Sequence, residues 1–533
     1  MKKRIFAGIL VAVMCIAAAG CTSKKEASTV DSGKITYWAA MPTYLADSGM
    51  TFNDLPMYIE YNKRTGIEVE FVHPPVGQDT EKFNLMLASG NLPDIVEFGW
   101  AKGYPGGVTK AVRDGVVVPL DGFIEKSSPN LFKILSENDS IRKDSTTRDG
   151  KYFGYPKINT TGSVTAASGG FFFRKDMLDK VGMDVPTNIE EWDKVLRAFK
   201  NELGVEKPLA FRGAFLTSEN GNFHSAFEVG SGYYLKDGKV AYGPLEPSYK
   251  DLIQTLATWY KDGLLDSEFA VLTADAVNSQ IQSGKSGVFY GYLGNDAGKI
   301  MQASEESNLG FTLVGAPYPK ENPDSTDSYI GSVQLVGGPY ACITKNCKEP
   351  EKAAQWLDYC YSREGSILYF YGIEGESYNM VDGVPTFTDV ITNNPDGLST
   401  FEARARYCRG YTSNIGATFS FGDPEQRAQI KLNSLKSQYP YQEQIDAYYR
   451  FNENSENRYK TQLPVLEYET EVAEEVANIK FELDTYVSEN LVRFISGDRP
   501  MKEWDSFVKE LKSLKIDTLL GHMQKAYTQY SNK

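Results

Sequence analysis

The chain of 533 residues is 41% hydrophobic and 13% aromatic, which excludes a disordered protein and supplies apolar material for two or three packed cores. Lys and Arg number 56 against 70 Asp and Glu; the formal charge of −14 repels phosphate backbones and anionic membrane surfaces, which excludes a nucleic-acid partner. Three scattered histidines (His73, His224, His522) leave little for a histidine-rich metal centre, whereas 33 Tyr with 28 Phe and 6 Trp suit a surface where polar ligands meet flat apolar faces.

Lys2, Lys3 and Arg4 precede an apolar run from Ile5 to Ala19, and small residues close it. This reads as a secretory signal over residues 1–20; the alternative, a membrane anchor helix, needs about 20 apolar residues, and the run is shorter. Ala18-Ala19-Gly20-Cys21 resembles the lipobox of bacterial lipoproteins, with Ala18 in place of the usual leucine. That resemblance implies an acylated Cys21 at the mature N-terminus, with two or more acyl chains needed for durable anchoring. Thr22 to Ser32 is polar, lacks aromatics and reads as a tether within residues 21–33. No later run is long and apolar enough to span a bilayer. Cys342, Cys347, Cys360 and Cys408 match no zinc spacing; a Cys342–Cys347 disulfide and separate buried thiols both remain open.

Downstream, short strands and helices alternate. Lys34 to Trp38 is β-rich; a helix starts near Asn53–Pro56 and stops at Gly66; Ile67, Val69 and Phe71 alternate with glutamates as a strand. Glu81 to Ala88 is helical and Asp94 to Phe98 is the next strand, so the sheet is expected to be parallel with helices on its faces. A second unit begins near Gly170. In it Phe171-Phe172-Phe173 is a buried strand, and Thr187 with Glu190 caps a helix carrying Trp192, Val195, Leu196 and Phe199. Helices around Trp259 and Ser279, strands at Gly287–Tyr290, Val333–Val336 and Tyr340–Ile343, and a helix from Pro350 to Tyr361 follow. In the helical tail Trp504, Phe507, Val508, Leu511 and Leu514 form one apolar face. The fold class is α/β: two lobes with a helical C-terminal portion.

Motifs of catalysis are missing or incomplete. Gly284-Lys285-Ser286 has Ser279 where a phosphate-binding loop needs glycine, and Gly230-Ser231-Gly232 lacks the third glycine of a dinucleotide fingerprint. Asn452 to Asn457 lacks the glycine of a calcium loop and reads as a solvated helix junction. No catalytic residue, metal or cofactor is therefore expected. Paired carboxylates need no motif, so a surface glycosidase stays as the enzyme alternative.

Several strings together resemble family 1 extracellular solute-binding proteins, the receptors of ABC sugar importers, in their long lipoprotein-type subgroup. Ser89-Gly90-Asn91-Leu92-Pro93-Asp94-Ile95-Val96 is similar to that family's "SGDLPDIV" and Phe173 to Leu178 to its "YRKDLL". Thr187 to Trp192 resembles its helix start and Gly284-Lys285-Ser286-Gly287 its "GKAG". Tyr371 to Tyr378 is similar to the subgroup's "YGIEGEHY", and Ser496-Gly497 with Met501 to Phe507 to its closing motif.

The resemblance implies a periplasmic-binding-protein-like fold of type II, lobe one at 34–155 plus 316–400 and lobe two at 156–315 plus 401–533, closing on a ligand in the cleft. It further implies a monomeric, lipid-anchored receptor on the extracytoplasmic face of the cell membrane that delivers an oligosaccharide, unchanged, to ABC-transporter permease subunits. A receptor for another polar solute, such as a peptide, is the alternative within binding proteins. The calcium loop of some alginate-oligosaccharide receptors has no counterpart in Phe199 to Phe211.

Ligands of open α/β sheets lie beyond the carboxyl ends of the strands. That rule selects Trp38 and Tyr44 after the first strand, Trp100 and Tyr104 after Asp94–Phe98, and Tyr292 with Asn295 after Gly287–Tyr290. Trp100 is the foremost candidate, with packing on its own lobe as its alternative. Tyr378, in the subgroup signature, either contacts ligand or pins the hinge. Trp192, Trp259, Trp356 and Trp504 sit at helical spacing and are expected in cores, and Arg174 in an ion pair at a helix start.

Overall fold

The structure, a computed structural model, describes residues 33–160, 167–217, 222–329, 335–398, 400–409 and 414–533. The signal, Cys21 and the tether through Ser32 lie outside the described residues, as do Val333 and Gln334 of one expected strand. The folded body is Ile35–Lys533.

Local chemistry sets the first elements. The helix Pro56–Thr65 carries Pro56 in its first turn, where no N–H is needed, and ends at Gly66, whose φ of 67° is costly for a side chain. The helix Ile189–Asn201 starts one residue later than the sequence suggests. Asn188 is its cap, accepting from the Glu191 N–H at 3.0 Å, while the Glu191 carboxylate reaches back to the Thr187 N–H at 2.8 Å.

The strands in chain order are β1 (Ile35–Trp38), β2 (Val69–Val72), β3 (Ile95–Phe98), β4 (Tyr155–Asn159), β5 (Gly169–Arg174) and β6 (Leu209–Ala210). A hairpin of β7 (Tyr233–Lys236) and β8 (Lys239–Tyr242) precedes β9 (Val288–Tyr292), β10 (Leu313–Gly315) and β11 (Val336–Ile343). A second hairpin, β12 (Tyr378–Val381) with β13 (Val384–Phe387), precedes β14 (Gly416–Thr418). Among the described residues, one sheet has the order β14-β4-β11-β3-β1-β2 and another β10-β5-β9-β6.

Both sheets are mixed rather than parallel. In the first, β11 runs against β3 and β4; in the second, β5 runs against β9 and β10. The chain path explains this. β4, β10 and β14 leave their sheets by the carboxyl ends, and the strands that enter next, β5 and β11, come in from that same side and so run backwards. Every crossing between the sheets therefore occurs at one common end. The boundaries expected at 155 and 400 put most of β4 and all of β14 in the second lobe, yet both pair within the first sheet. The chain crosses only after residues 159 and 418, and strand pairing of that kind leaves no mark in composition.

Alternation along β1 and β3 divides the first core. Ile35, Tyr37 and Ile95 face helices that bring in Trp356 and Leu368, while Trp38, Val96 and Phe98 face Phe83 and Val108. The second sheet has one large core. Phe171, Phe172 and Phe173 are all buried in it with Trp192, Trp259 and the C-terminal helices Thr470–Ser496, Trp504–Ser513 and Ile516–Ser531. Trp504, Phe507 and Leu511 supply the expected apolar face, with Val508 and Leu514 at its margin. Arg174 pairs with Asp176 at 2.8 Å as it enters the helix Lys175–Val181. Cys342, Cys347, Cys360 and Cys408 are free thiols.

Candidate functional site

The strand-end rule selects positions and does not aim their side chains. Trp38 and Trp100 are both buried in the core of the first sheet. Trp38 lies on the same face of the sheet as Val96 and Phe98, and its ring packs against Phe98 with centroids 6.0 Å apart. Trp100 opens the short helix Trp100–Gly103, meets Phe83 edge-on at 5.1 Å, and donates its indole N–H to the Val96 carbonyl at 3.1 Å. No face of it is left for a sugar. Packing on its own lobe, the alternative reading, is what the structure gives.

Tyr104 stacks beside Trp100 and donates its hydroxyl to Asp114 at 2.7 Å; burial and that carboxylate push the phenol up to about 12. Tyr44 belongs to the helix Thr43–Asp47, and its side chain lies outside the described residues. Tyr378 is buried, paired across the hairpin with Phe387 and packed on Tyr371 at 6.0 Å.

Tyr292 and Asn295 do come together, at the carboxyl end of the second sheet. Tyr292 ends β9 half-buried, with Phe215 edge-on at 6.1 Å. The chain then makes one wide turn, Leu293–Gly298, which exposes Asn295 and buries Asp296. The Asp296 carboxylate accepts from the Tyr292 N–H at 2.7 Å and lies 3.8 Å from the Arg212 guanidinium. Gly291 permits this turn, since a Cβ there would stand 2.8 Å from the Asp296 side chain. Arg212 follows β6 and lies over the Phe215 ring at 4.4 Å, a cation–π contact that holds the guanidinium flat. Its buried Nε–H has no hydrogen-bond partner among the described residues.

An aromatic face, a cation, a carboxylate and an exposed amide thus share one strand end. The sequence reading missed Arg212, Phe215 and Asp296. The strand that delivers the first two is only two residues long, too short for any periodicity to mark it.

The matching end of the first sheet carries a buried polar network. The Glu97 carboxylate near the end of β3 accepts from the Tyr37 hydroxyl at 2.7 Å, the Asn414 amide at 2.7 Å and the Arg409 guanidinium at 3.3 Å. Arg409 also lies 3.9 Å over the Phe52 ring, and Phe52 meets His73 edge-on at 4.7 Å. His73 bonds the Ala39 carbonyl through Nδ1 at 2.8 Å, and burial holds its imidazole below the usual range.

The two halves touch beside these ends. Glu467 accepts from the Thr109 hydroxyl and from the Arg148 N–H at 3.3 Å, and the Tyr530 hydroxyl donates to Asp144 at 2.7 Å. Among the described residues no group of three or more His, Cys, Asp or Glu is placed to hold a metal, and no helix is long and apolar enough to cross a membrane.

A family model described as bacterial extracellular solute-binding protein matches residues 57–398. The fructooligosaccharide ABC transporter substrate-binding protein FusA of Streptococcus pneumoniae is 25% identical over 495 residues, covering 88% of this chain and 86% of that protein. The lipoprotein LipO of Bacillus subtilis is 25% identical over 430 residues, covering 76% of this chain and 79% of that protein. Among solved structures, an HMO-binding, ABC-transporter-associated solute-binding protein from Bifidobacterium longum infantis superposes with a TM-score of 0.68 at 20% identity, covering 94% of this chain and all of that one (100%).

Proposed function

The chain belongs to the bacterial extracellular solute-binding proteins, and we propose that it captures a carbohydrate, an oligosaccharide, between its two sheets and passes it unchanged to the permease of an ABC importer. Solute-binding proteins of this family bind rather than transform, and FusA, among the relatives above, is named for a fructooligosaccharide. The observation that carries the reading is the Tyr292–Phe215–Arg212–Asp296 cluster at the end of β9.

A sugar ring has an apolar C–H face and a rim of hydroxyls. An aromatic plane covers the face, while a fixed guanidinium, carboxylate and amide pair the rim, so hydroxyl positions decide which sugar is bound. Tyr292 and Phe215 fit the first role, and Arg212, Asp296 and Asn295 the second. Contacts made from both sheets at once would pull an open–closed equilibrium toward closure, the hinge motion typical of periplasmic binding proteins. The crossings after 159 and 418 and between β10 and β11 are the hinge in this reading. Acylation at Cys21 would hold the receptor at the outer face of the membrane as a monomer beside its permease.

A thermal-shift screen over plant and microbial oligosaccharides tests the proposal. A bound glycan at 100 times its Kd stabilises by about 2.7 kcal/mol and is recovered intact; shortened products would mark a glycosidase instead.

A further inference from the structure

Among the described residues, Lys157 of the first sheet has no counter-charge. Lys157 is the middle residue of β4, two positions before the chain leaves the strand, and its register partners on both neighbouring strands are glycines, Gly337 on β11 and Gly416 on β14. No side chain stands beside it on either strand. The half of β11 that faces it, Val336 to Tyr340, is half-buried with Gly338 exposed, and full burial begins only at Ala341.

The Lys157 ammonium lies 6.0 Å from the centre of the Phe370 ring and makes no hydrogen bond or ion pair among the described residues. Two more cations gather at the same place. The Arg404 guanidinium reaches the Phe370 carbonyl at 3.5 Å, the Arg409 backbone N–H donates to the Tyr369 carbonyl at 3.0 Å, and both side-chain charges act on the Lys157 amine. The Glu97 carboxylate is already committed to Tyr37, Asn414 and Arg409. Burial, then Arg404 and Arg409, hold the Lys157 amine below its usual range, so a half-buried charge is kept at a cost that no carboxylate among the described residues offsets. A charge in that position is offset by an incoming anion. The acidity of the whole chain does not oppose this, because physiological salt screens charges beyond about 8 Å.

We propose that Lys157 contacts the ligand and takes a sugar carboxylate, so that the receptor selects oligosaccharides containing uronic acid over neutral ones. The proposal rests on the carbohydrate reading above and adds the charge of the ligand. It adds one contact from the first sheet to the Tyr292 cluster of the second.

Calorimetric titration tests it with oligomers of galacturonate, glucuronate, mannuronate and guluronate, each paired with its carboxyl-reduced neutral counterpart. The wild type should prefer at least one acidic oligomer by tenfold or more. Lys157→Met should lose at least tenfold for that oligomer with the neutral counterpart within twofold, and Lys157→Arg should recover most of the loss. Equal or tighter binding of the neutral forms, or an equal loss for both in Lys157→Met, overturns the carboxylate contact and leaves the carbohydrate reading standing. Absence of binding to any acidic, neutral or screened glycan overturns both. The wild-type preference alone decides the matter should Lys157→Met not fold.

Discussion

Arg409 and Glu97 form a buried ion pair, with a guanidinium nitrogen 3.3 Å from a carboxylate oxygen and both side chains almost wholly out of solvent. Their separation in sequence, 312 positions, means that the pair ties the late chain leading into β14 back onto the end of β3. Removing one partner strands the other charge. Arg409→Met or Glu97→Gln alone should cost about 3–5 kcal/mol in urea unfolding, and the double variant should recover part of that. Single variants within about 0.5 kcal/mol of wild type would show that the pair carries no strain of desolvation.

Trp100 should behave as a core residue. Trp100→Ala removes an indole packed on Phe83 and bonded to the Val96 carbonyl, which should cost about 3–5 kcal/mol. Ligand affinity of the folded protein should stay within about threefold of wild type, since about 1.4 kcal/mol separates tenfold steps and no ligand contact is lost. Undiminished stability with lost affinity would return Trp100 to the site.

Tyr292→Ala and Arg212→Met should do the reverse. Each removes a group at the strand end while leaving the core behind β9 in place, so affinity for the cognate glycan should fall tenfold or more; the unfolding midpoint should be little changed in Tyr292→Ala and lowered in Arg212→Met, which strands the buried Asp296 carboxylate. Titration calorimetry on both variants reads this directly. Unchanged affinity in both would empty the proposed site.

Acid should loosen the loop that supports Phe215. His224 is buried, its Nδ1 is 2.5 Å from the Asn222 side-chain oxygen, and Asn222 in turn donates to the Phe215 carbonyl at 2.7 Å. Burial drops the imidazole to about 3, far below the ~6.5 of an unfolded chain. The unfolded state therefore binds the extra proton first. Its contribution is complete above about pH 6.5 and is lost by about 1.4 kcal/mol for each unit of acidification below that. His73 is shifted in the same direction; Asp144 and Asp358, raised by burial, are shifted up and oppose the trend. Stability of wild type minus that of His224→Gln, measured from pH 7 to 4, should fall with acid. A flat difference would contradict the assignment.

Much of the fold is legible in the sequence because it is written in local chemistry. Pro56 and Gly66 bracket a helix, the triple phenylalanine at 171–173 marks a central strand, and the tail's apolar spacing marks a helix face. Strand direction was less accessible, because β5 and β11 owe their reversal to where the chain crosses. Where two strands are expected between 333 and 343, the described residues Val336–Ile343 form one continuous β11, whose register shifts between Gly337 and Ala341. Half of the proposed site was legible: β9 is long enough to mark Tyr292 and Asn295. Arg212 and Phe215 follow a strand of two residues; Trp38 turns inward because β1 alternates, and Trp100 because the helix it opens folds back onto Phe83 and the Val96 carbonyl, which position alone does not show.

The most direct measurement is a calorimetric titration of the intact protein with its best-ranked glycan, followed by chromatography of the recovered sugar. Saturable one-to-one binding that Tyr292→Ala weakens at least tenfold, with the glycan returned at its original length, is the predicted result. Heat that the variant leaves unchanged, or a shortened glycan in the eluate, would contradict the account.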